Sequence, residues 1–191
     1  GQWFEKKPLY NYTNYSSISP NDTRKVIKTY DVKSHVSKDI IGQVFYGFKS
    51  DRMNLGAVSF TADGKRAYYT RNQKRSFNTY QLEIWEATQK EGKWVNAHKM
   101  FFNNPKFSYF HPAITPDGKR LYYVTDDNSG EGGTDIYYVE RNEDGSWKNT
   151  VNLGQDINTA GNELFPTFYE GNLFFSSNGH PGLGGLDIYR L

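Results

Sequence analysis

The chain has 191 residues, 36% hydrophobic and 23% charged, a balance typical of a globular protein with a sizeable core. The net charge of +2, without a long basic run, argues against nucleic-acid binding, and the lack of cysteine excludes disulfides and thiolate catalysis. No stretch has the ~20 apolar residues of a membrane helix, and no signal-peptide pattern opens the chain, so we expect a processed or excised piece. Aromatic residues reach 17% and favour sheet, so the fold class is predicted to be all-β.

The first 55 residues lack the turn motif that dominates the rest of the chain. Residues 9–15, 24–30 and 43–48 are rich in aromatic and β-branched side chains and are predicted to form strands.

An internal repeat begins near residue 56. Residues 60–70 recur at 114–124, with the Asp63-Gly64 and Asp117-Gly118 turns 54 residues apart, and a looser copy surrounds Gly171. A second element follows each copy, at 82–85, 134–137 and 186–189. The glycines tolerate positive φ and the aspartates cap backbone N–H groups, so we assign structural turn roles to Asp63, Gly64, Asp117, Gly118 and Gly171.

The repeat predicts a β-propeller of four-stranded antiparallel blades. Four short strands in ~40 residues, recurring at a period of ~50 residues, describe a propeller blade better than a sandwich. We expect three blades at about 56–101, 110–154 and 164–191, with 1–55 as a partial blade or closing strands. The third copy has no outer strand. Either the N-terminal region completes a small four-bladed ring, or the chain is a fragment of a larger ring, which we favour.

Several motifs resemble the propeller region of Bacteroidetes envelope proteins in the OmpA family. They lie at 69–72 (YTRN), 111–122 (HPAITPDGKRLY), 151–166 and 176–189 (SSNGHPGLGGLDIY). The family has WD40-like or TolB-like repeats between tetratricopeptide repeats and a peptidoglycan-binding domain, and one member is the peptidoglycan-associated component of the type IX secretion system. The resemblance implies a periplasmic location at the outer membrane and protein partners there. It implies peptidoglycan contact only through a domain absent from this chain, with no nucleic acid and no membrane insertion by this segment.

The sequence offers little support for an enzyme. The four histidines have no metal-ligand spacing, no Gly-x-Ser-x-Gly elbow occurs, and Asp135 and Asp187 recur at one repeat position, which favours a structural role. His111 and His180 each precede a proline and fit turn or strand-start roles. We therefore predict a non-catalytic protein without cofactor or metal. An oxygen-rich loop around Asp127 could hold Ca²⁺, although a solvated loop is the favoured interpretation.

Function in propellers resides in the loops at the ends of the blades, so partner-binding residues are predicted between the second and third strands. The candidates are Arg71, Lys74, Arg75, Phe77, Asp126, Asp127, Asn128, Glu131, Asn178 and His180. An aromatic crossover at 101–110 is predicted to pack between neighbouring blades. Two hypotheses remain: a scaffold for protein–protein interaction in a cell-envelope complex, and a glycan-binding or glycan-cleaving propeller.

Overall fold

The computed structural model describes residues 29–30, 37–38, 55–74 and 80–191, with side chains for 56–73 and 80–191. The chain divides into two compact units, Gly1–Ser50 and Asp51–Leu191. In the first unit, β1 (Thr29–Tyr30) pairs antiparallel with β2 (Ser37–Lys38). The predicted strands at 9–15 and 43–48, and most of the one at 24–30, lie outside the described residues. The described part of the chain contains no helix with the length and apolar character needed to span a membrane.

The second unit contains three antiparallel sheets whose strands lie side by side in chain order. The first sheet comprises β3 (Leu55–Phe60), β4 (Arg66–Lys74), β5 (Tyr80–Lys90) and β6 (Lys93–Lys99). The second comprises β7 (Tyr109–Ile114), β8 (Arg120–Thr125), β9 (Asp135–Glu140) and β10 (Val151–Asn152). The third has three strands, β11 (Glu163–Tyr169), β12 (Asn172–Ser177) and β13 (Asp187–Arg190). The three sheets span residues 55–99, 109–152 and 163–190.

The first hairpin of each four-stranded sheet turns in the same way. In the first sheet, Asp63 Oδ1 accepts hydrogen bonds from the Thr61 hydroxyl (2.6 Å) and from the Lys65 N–H (3.0 Å). Asp117 makes the same two bonds in the second sheet, at 2.6 and 3.0 Å. The glycine that follows each aspartate has positive φ, 67° and 71°, which L side chains rarely adopt. Gly171, with φ of 81°, closes the corresponding turn between β11 and β12.

The first strand of each sheet contains a β-bulge. The ladder register shifts between Leu55 and Val58 in β3, between Phe110 and Ala113 in β7, and between Leu164 and Thr167 in β11. In β7 and β11 the bulge is a residue in the left-handed region followed by proline, which has no N–H to donate to a ladder.

Two hydrophobic cores lie between successive sheets. One joins the first and second sheets and the other joins the second and third, so β8 is buried along nearly its whole length. The first core contains Tyr68, Ile84, Met100, Phe102, Tyr109, Ile114, Leu121, Tyr123 and Val139. The second contains Ala113, Tyr122, Val124, Ile136, Ile157, Leu173 and Phe175. The high aromatic content follows from this arrangement, because the second sheet is covered on both faces.

The outer strand of the second sheet is shorter than expected. The sequence predicts a strand at 146–153, whereas the structure has only β10 and an isolated bridge between Arg141 and Trp147. Trp147 instead packs against side chains: the Arg141 guanidinium lies 4.2 Å over its ring, and Tyr68 meets it edge-on at 6.0 Å. These contacts hold the segment without a continuous ladder.

Candidate binding surface

The first candidate loop, between β4 and β5, is only partly described by the structure. Arg71 is a β4 residue whose guanidinium lies 4.3 Å over the Trp85 ring, so it packs along the sheet surface. The backbone of Lys74 pairs with Tyr80 at the end of β4. Arg75 and Phe77 lie outside the described residues.

The second candidate loop does not gather its oxygen atoms into one site. Asp126 Oδ1 accepts a hydrogen bond from the Ser108 N–H (2.6 Å), and Asp127 Oδ1 accepts one from the Ser129 N–H (3.0 Å). Glu131 Oε2 instead accepts from the Gln155 amide (3.1 Å), and Asn128 is exposed. Over residues 55–74 and 80–191, no three histidine or acidic side chains come together in a way that would hold a metal ion.

The polar side chains of the third candidate loop, between β12 and β13, form hydrogen bonds within the chain. Asn178 Oδ1 accepts a hydrogen bond from the Asn162 N–H (2.7 Å), and His180 Nε2 donates one to the Ile157 carbonyl (2.8 Å). The His180 ring also lies 5.1 Å from the Tyr189 ring. Both residues therefore tie the third sheet to the segment that enters it.

Two buried carboxylates lie where the second and third sheets meet. Glu163 accepts hydrogen bonds from the Thr159 N–H (2.8 Å), the Thr159 hydroxyl (2.7 Å) and the Ser177 hydroxyl (2.6 Å). Asp135 Oδ2 accepts from the Glu131 N–H (2.9 Å), while its Oδ1 is buried with no hydrogen-bond partner among the described residues. Burial raises the pKa of Asp135 above its ordinary value, and the nearby charge of Glu163 acts in the same direction. Both side chains are 0% exposed, which suits a structural role better than contact with a substrate.

Two asparagines that the sequence does not single out make equivalent hydrogen bonds in the first and second sheets. The Asn103 carboxamide accepts from the Ile84 N–H (2.9 Å) and donates to the Ile84 carbonyl (2.8 Å). Asn158 makes the same pair of bonds with Ile136, at 2.8 and 2.9 Å. Each carboxamide thus satisfies both backbone groups of one third-strand residue. The signal was weak because the two asparagines differ in spacing and flanking residues, and only the shared target makes them equivalent.

An aromatic cleft of about 360 Å³ opens beside the first core. The exposed Phe101 forms one wall, and Tyr137 and the predicted binding residue Asp127 also line it. The predicted packing role of the aromatic crossover holds for Phe102, which stacks on Tyr123 with ring centroids 4.1 Å apart. Phe101 instead remains exposed.

Among the described residues, one face of the third sheet is not covered by another sheet. We call it the open face: Phe174, Ser176, Leu186, Ile188 and Arg190. These residues share a face because Ser176 pairs with Ile188 and Phe174 with Arg190, and side chains alternate along each strand. In β12 the residues of the opposite face, such as Phe175, are buried, whereas those of the open face are half-buried. Ile188 is 77% exposed, although Ile84 and Ile136, at the same repeat position, are 0% exposed.

No family model matches the chain, and neither does any curated protein. Solved structures do. A crystal structure of the tricorn protease matches with a TM-score of 0.51 at 13% identity, over 81% of this chain and 17% of that chain. A prolyl endopeptidase structure also matches, with a TM-score of 0.41 at 13% identity, over 86% of this chain and 22% of that chain. Prolyl oligopeptidase B from Galerina marginata matches with a TM-score of 0.35 at 17% identity, over 64% of this chain and 18% of that chain.

The tricorn protease contains β-propeller domains, and its match spans all-β, antiparallel sheets of three or four strands. The chain has a β-propeller fold. The predicted fold class is therefore confirmed, and the three sheets are the first, second and third blades of the propeller. The chain spans about a fifth of the length of these peptidases, so the similarity concerns the propeller fold alone.

In a propeller each blade covers the face of the one before it. The second blade covers the first and the third covers the second, through the two cores described above. Among the described residues, no further sheet covers the open face of the third blade.

Proposed function

We propose that this propeller is a non-catalytic scaffold that binds a protein partner through the open face of its third blade. The observation that carries the proposal is the exposure of Ile188, 77% against 0% for its two counterparts. An aliphatic side chain that the fold buries twice and exposes once marks an interaction surface.

The arrangement of the polar residues supports a scaffold over an enzyme. Asp63 and Asp117 close turns, Glu163 is buried among hydroxyl and N–H donors, and His180 bonds to a backbone carbonyl. A catalytic base needs reach to a substrate as well as a tuned pKa. Each of these four side chains instead forms hydrogen bonds within the chain.

We place this scaffold in the periplasm, in an outer-membrane complex such as the type IX secretion machinery. The basis is the motif resemblance, which is strongest at 111–122 and 176–189. The second of these segments contributes Leu186 and Ile188 to the open face. The proposed partner is accordingly a protein of that envelope complex.

The test is affinity capture from a Bacteroidetes envelope extract with the full 191-residue chain as bait. Wild-type chain should retain outer-membrane components, and Ile188→Glu should lose them because it places a charge on the open face. Tyr80→Ser, which removes an exposed aromatic side chain from the first blade, is the matched control and should retain them. Equal capture by wild-type and Ile188→Glu chains would refute the assignment of the surface.

A glycan-binding function is the second candidate, favoured by the aromatic cleft. Sugar rings stack on exposed aromatic faces and donate hydroxyl hydrogen bonds to carboxylates, and Phe101 and Asp127 both line the cleft. Isothermal titration against a saccharide panel tests it. Binding that Asp127→Ala abolishes and Asp144→Ala preserves would establish this function. Asp144 is a suitable control because it is an exposed carboxylate in a separate turn.

A further inference from the structure

Within its own fold the molecule holds an arginine side chain between an aromatic ring and a carboxylate. The Arg141 guanidinium lies 4.2 Å over the Trp147 ring and donates a hydrogen bond to Glu86 Oε1 (3.0 Å). The ring face attracts the cation, and a planar guanidinium can stack on a ring while its edge donates to a carboxylate. One arginine therefore contacts both groups at once.

A second arginine makes the same combination. The Arg120 guanidinium lies 4.6 Å over the Tyr138 ring and forms an ion pair with Glu140. The two arginines use different rings and different carboxylates. The combination therefore follows from the chemistry of the three groups and does not depend on one position in the fold.

The aromatic cleft provides rings and a carboxylate but no basic side chain of its own. Among the described residues that line it, Asp127 is the only charged one, and its walls include Tyr137 and Phe101, which is 57% exposed. Asp127 Oδ1 accepts a hydrogen bond from the Ser129 N–H (3.0 Å). Its Oδ2 accepts none from the described residues, and no described basic side chain forms an ion pair with it. The cleft thus presents the ring surface and the charge that a guanidinium requires.

The charge of Asp127 acts on the interior of the cleft. Burial raises the pKa of Tyr109, another lining residue, and the Asp127 charge acts in the same direction. Tyr109 is therefore neutral at pH 7, and the carboxylate decides the sign of the potential in the cleft. A cationic ligand complements this potential, whereas an anion would be repelled.

The cleft belongs to the second blade, whose two neighbours are both described. Phe101 lies in the segment that enters the second blade, and Asp127 and Tyr137 lie in the blade itself. The first blade packs on the second through the first core, and the third blade packs on it through the second core. Since a propeller blade packs only on its neighbours, a further blade before the first or after the third would leave the cleft open.

We propose that the aromatic cleft binds an arginine side chain of a protein partner, with the guanidinium against the Phe101 ring and its N–H groups donating to Asp127. The cleft volume of about 360 Å³ lies near the lower end of the range for ligand pockets, ~300–1,000 Å³, which suits one inserted side chain. This site goes beyond the scaffold function proposed above, because it adds a contact that the open face does not share.

A pair of peptides that differ only in charge tests the proposal. The probe is the end-blocked peptide Gly-Ser-Gly-Arg-Gly-Ser-Gly, added to the isotope-labelled full chain while the amide resonances are followed by NMR. The control peptide carries citrulline, a neutral isostere of arginine, at the central position. We expect saturable shifts at the amides of Phe101, Asp127 and Tyr137, with an affinity about fivefold higher for the arginine peptide. Equal affinity for the two peptides, or no saturable binding, would overturn the proposal.

Variants of the chain locate the binding. Asp127→Asn removes the charge but keeps an oxygen that can accept from the Ser129 N–H, and it should weaken binding about fivefold. Asp144→Asn, in an exposed turn of the same blade, is the matched control and should not change the affinity. Phe101→Ser should also weaken binding, and Tyr80→Ser, which removes an exposed ring elsewhere, should not. Unchanged affinity in both Asp127→Asn and Phe101→Ser chains with folded spectra would show that the cleft is not the site.

Other outcomes would name a different occupant of the cleft. If Arg75→Ala raises the affinity for the arginine peptide severalfold, an arginine of the chain itself competes for the cleft and the proposal is wrong. A saccharide that saturates the same amide shifts, with the arginine peptide bound no more tightly than the citrulline peptide, would establish the glycan-binding function instead.

The scaffold function is tested separately from this proposal. Ile188→Glu should leave the affinity for the arginine peptide unchanged, because Ile188 does not line the cleft. If the arginine peptide fails to bind while envelope partners are still captured in an Ile188-dependent manner, the arginine site is wrong and the scaffold function stands.

Discussion

His111 is a single residue that contacts all three blades. Its backbone N–H donates to the Thr70 hydroxyl in the first blade (3.2 Å), and its Nδ1 accepts from the Phe165 N–H in the third (3.3 Å). The imidazole also stacks on the Phe165 ring, with centroids 4.0 Å apart. Burial lowers the pKa of His111 to about 4, so the ring is neutral at pH 7.

This depressed pKa predicts a loss of stability in acid. The unfolded chain binds the proton near pH 6.5 and the folded chain only near 4, so stability is full above pH 6.5 and falls as the pH drops towards 4. The contribution is up to about 3 kcal/mol, since each pKa unit corresponds to 1.36 kcal/mol. Urea denaturation followed by tryptophan fluorescence at pH 7 and pH 4.5 measures it.

The control is His111→Asn, which removes the titrating ring and tolerates the left-handed backbone. The free energy of unfolding should depend less on pH in this variant than in the wild type. The raised pKa of Asp135 acts with the opposite sign, since its contribution is lost as the pH rises, but it is common to both proteins. Identical pH dependence in the two would show that His111 is not responsible.

At the scale of elements, the third strands depend on partners outside the regular ladder. In the second blade β10 covers only two residues of β9, so the backbone of Ile136 relies on Asn158. Asn158 is itself 1% exposed. The Asn158 carboxamide therefore supplies backbone hydrogen bonds that a longer outer strand would supply in a regular four-stranded blade.

We predict that Asn158→Ala lowers the free energy of unfolding by about 2 kcal/mol, because it leaves the buried Ile136 N–H unpaired and leaves the Ile136 carbonyl only the Leu153 N–H as a partner. Asn128→Ala, in the exposed loop of the same blade, should change it by less than about 0.5 kcal/mol. Urea denaturation of the two variants side by side measures the difference. If the two variants lost the same free energy of unfolding, the hydrogen bonds of Asn158 would contribute nothing to the stability of the blade.

At the scale of the whole propeller segment, an ionic contact joins the first two blades. Glu86 is 3% exposed and its Oε1 accepts from Arg66 (2.7 Å) in its own blade and from Arg141 (3.0 Å) in the next. Burial alone would raise the pKa of Glu86, but the hydrogen bonds and charges of the two arginines outweigh it, and the pKa lies below its ordinary value. The contact crosses the blade boundary at the edge of the first core.

The repeat supplies a matched comparison for this contact. Glu140 lies two residues beyond the position equivalent to Glu86 in the third strand of the second blade, forms ion pairs with Arg120 and Lys148, and is more exposed. Glu86→Ala should lower the free energy of unfolding by about 3 kcal/mol, because it leaves the largely buried Arg141 guanidinium without its carboxylate. Glu140→Ala should have a much smaller effect, since exposed pairs contribute little. Thermal denaturation of both variants checks this, and a larger loss for Glu140→Ala would contradict it.

The all-β class and the blade repeat could be predicted because their signals are local. Asp117 and Gly118 form a turn whose chemistry lies within six residues, and the alternation in β12 is visible over a single strand. The orientation of the loop side chains was not predictable in this way. Asn178 and His180 bond to Asn162 and Ile157, which come from a different part of the repeat, and their role in partner binding stays a prediction.

The amino-acid sequence by itself thus determined where strands and turns fall, since hairpin geometry depends on neighbouring residues. Only the tertiary structure decided which residues at the same repeat position are buried and which are exposed. Ile84, Ile136 and Ile188 have the same local context, and their exposure differs because stacking between blades is a contact between residues far apart in the chain. The burial of Glu163 and the hydrogen bonds of Asn103 and Asn158 to third-strand isoleucines depend on that same stacking, which produces no periodic pattern in the sequence.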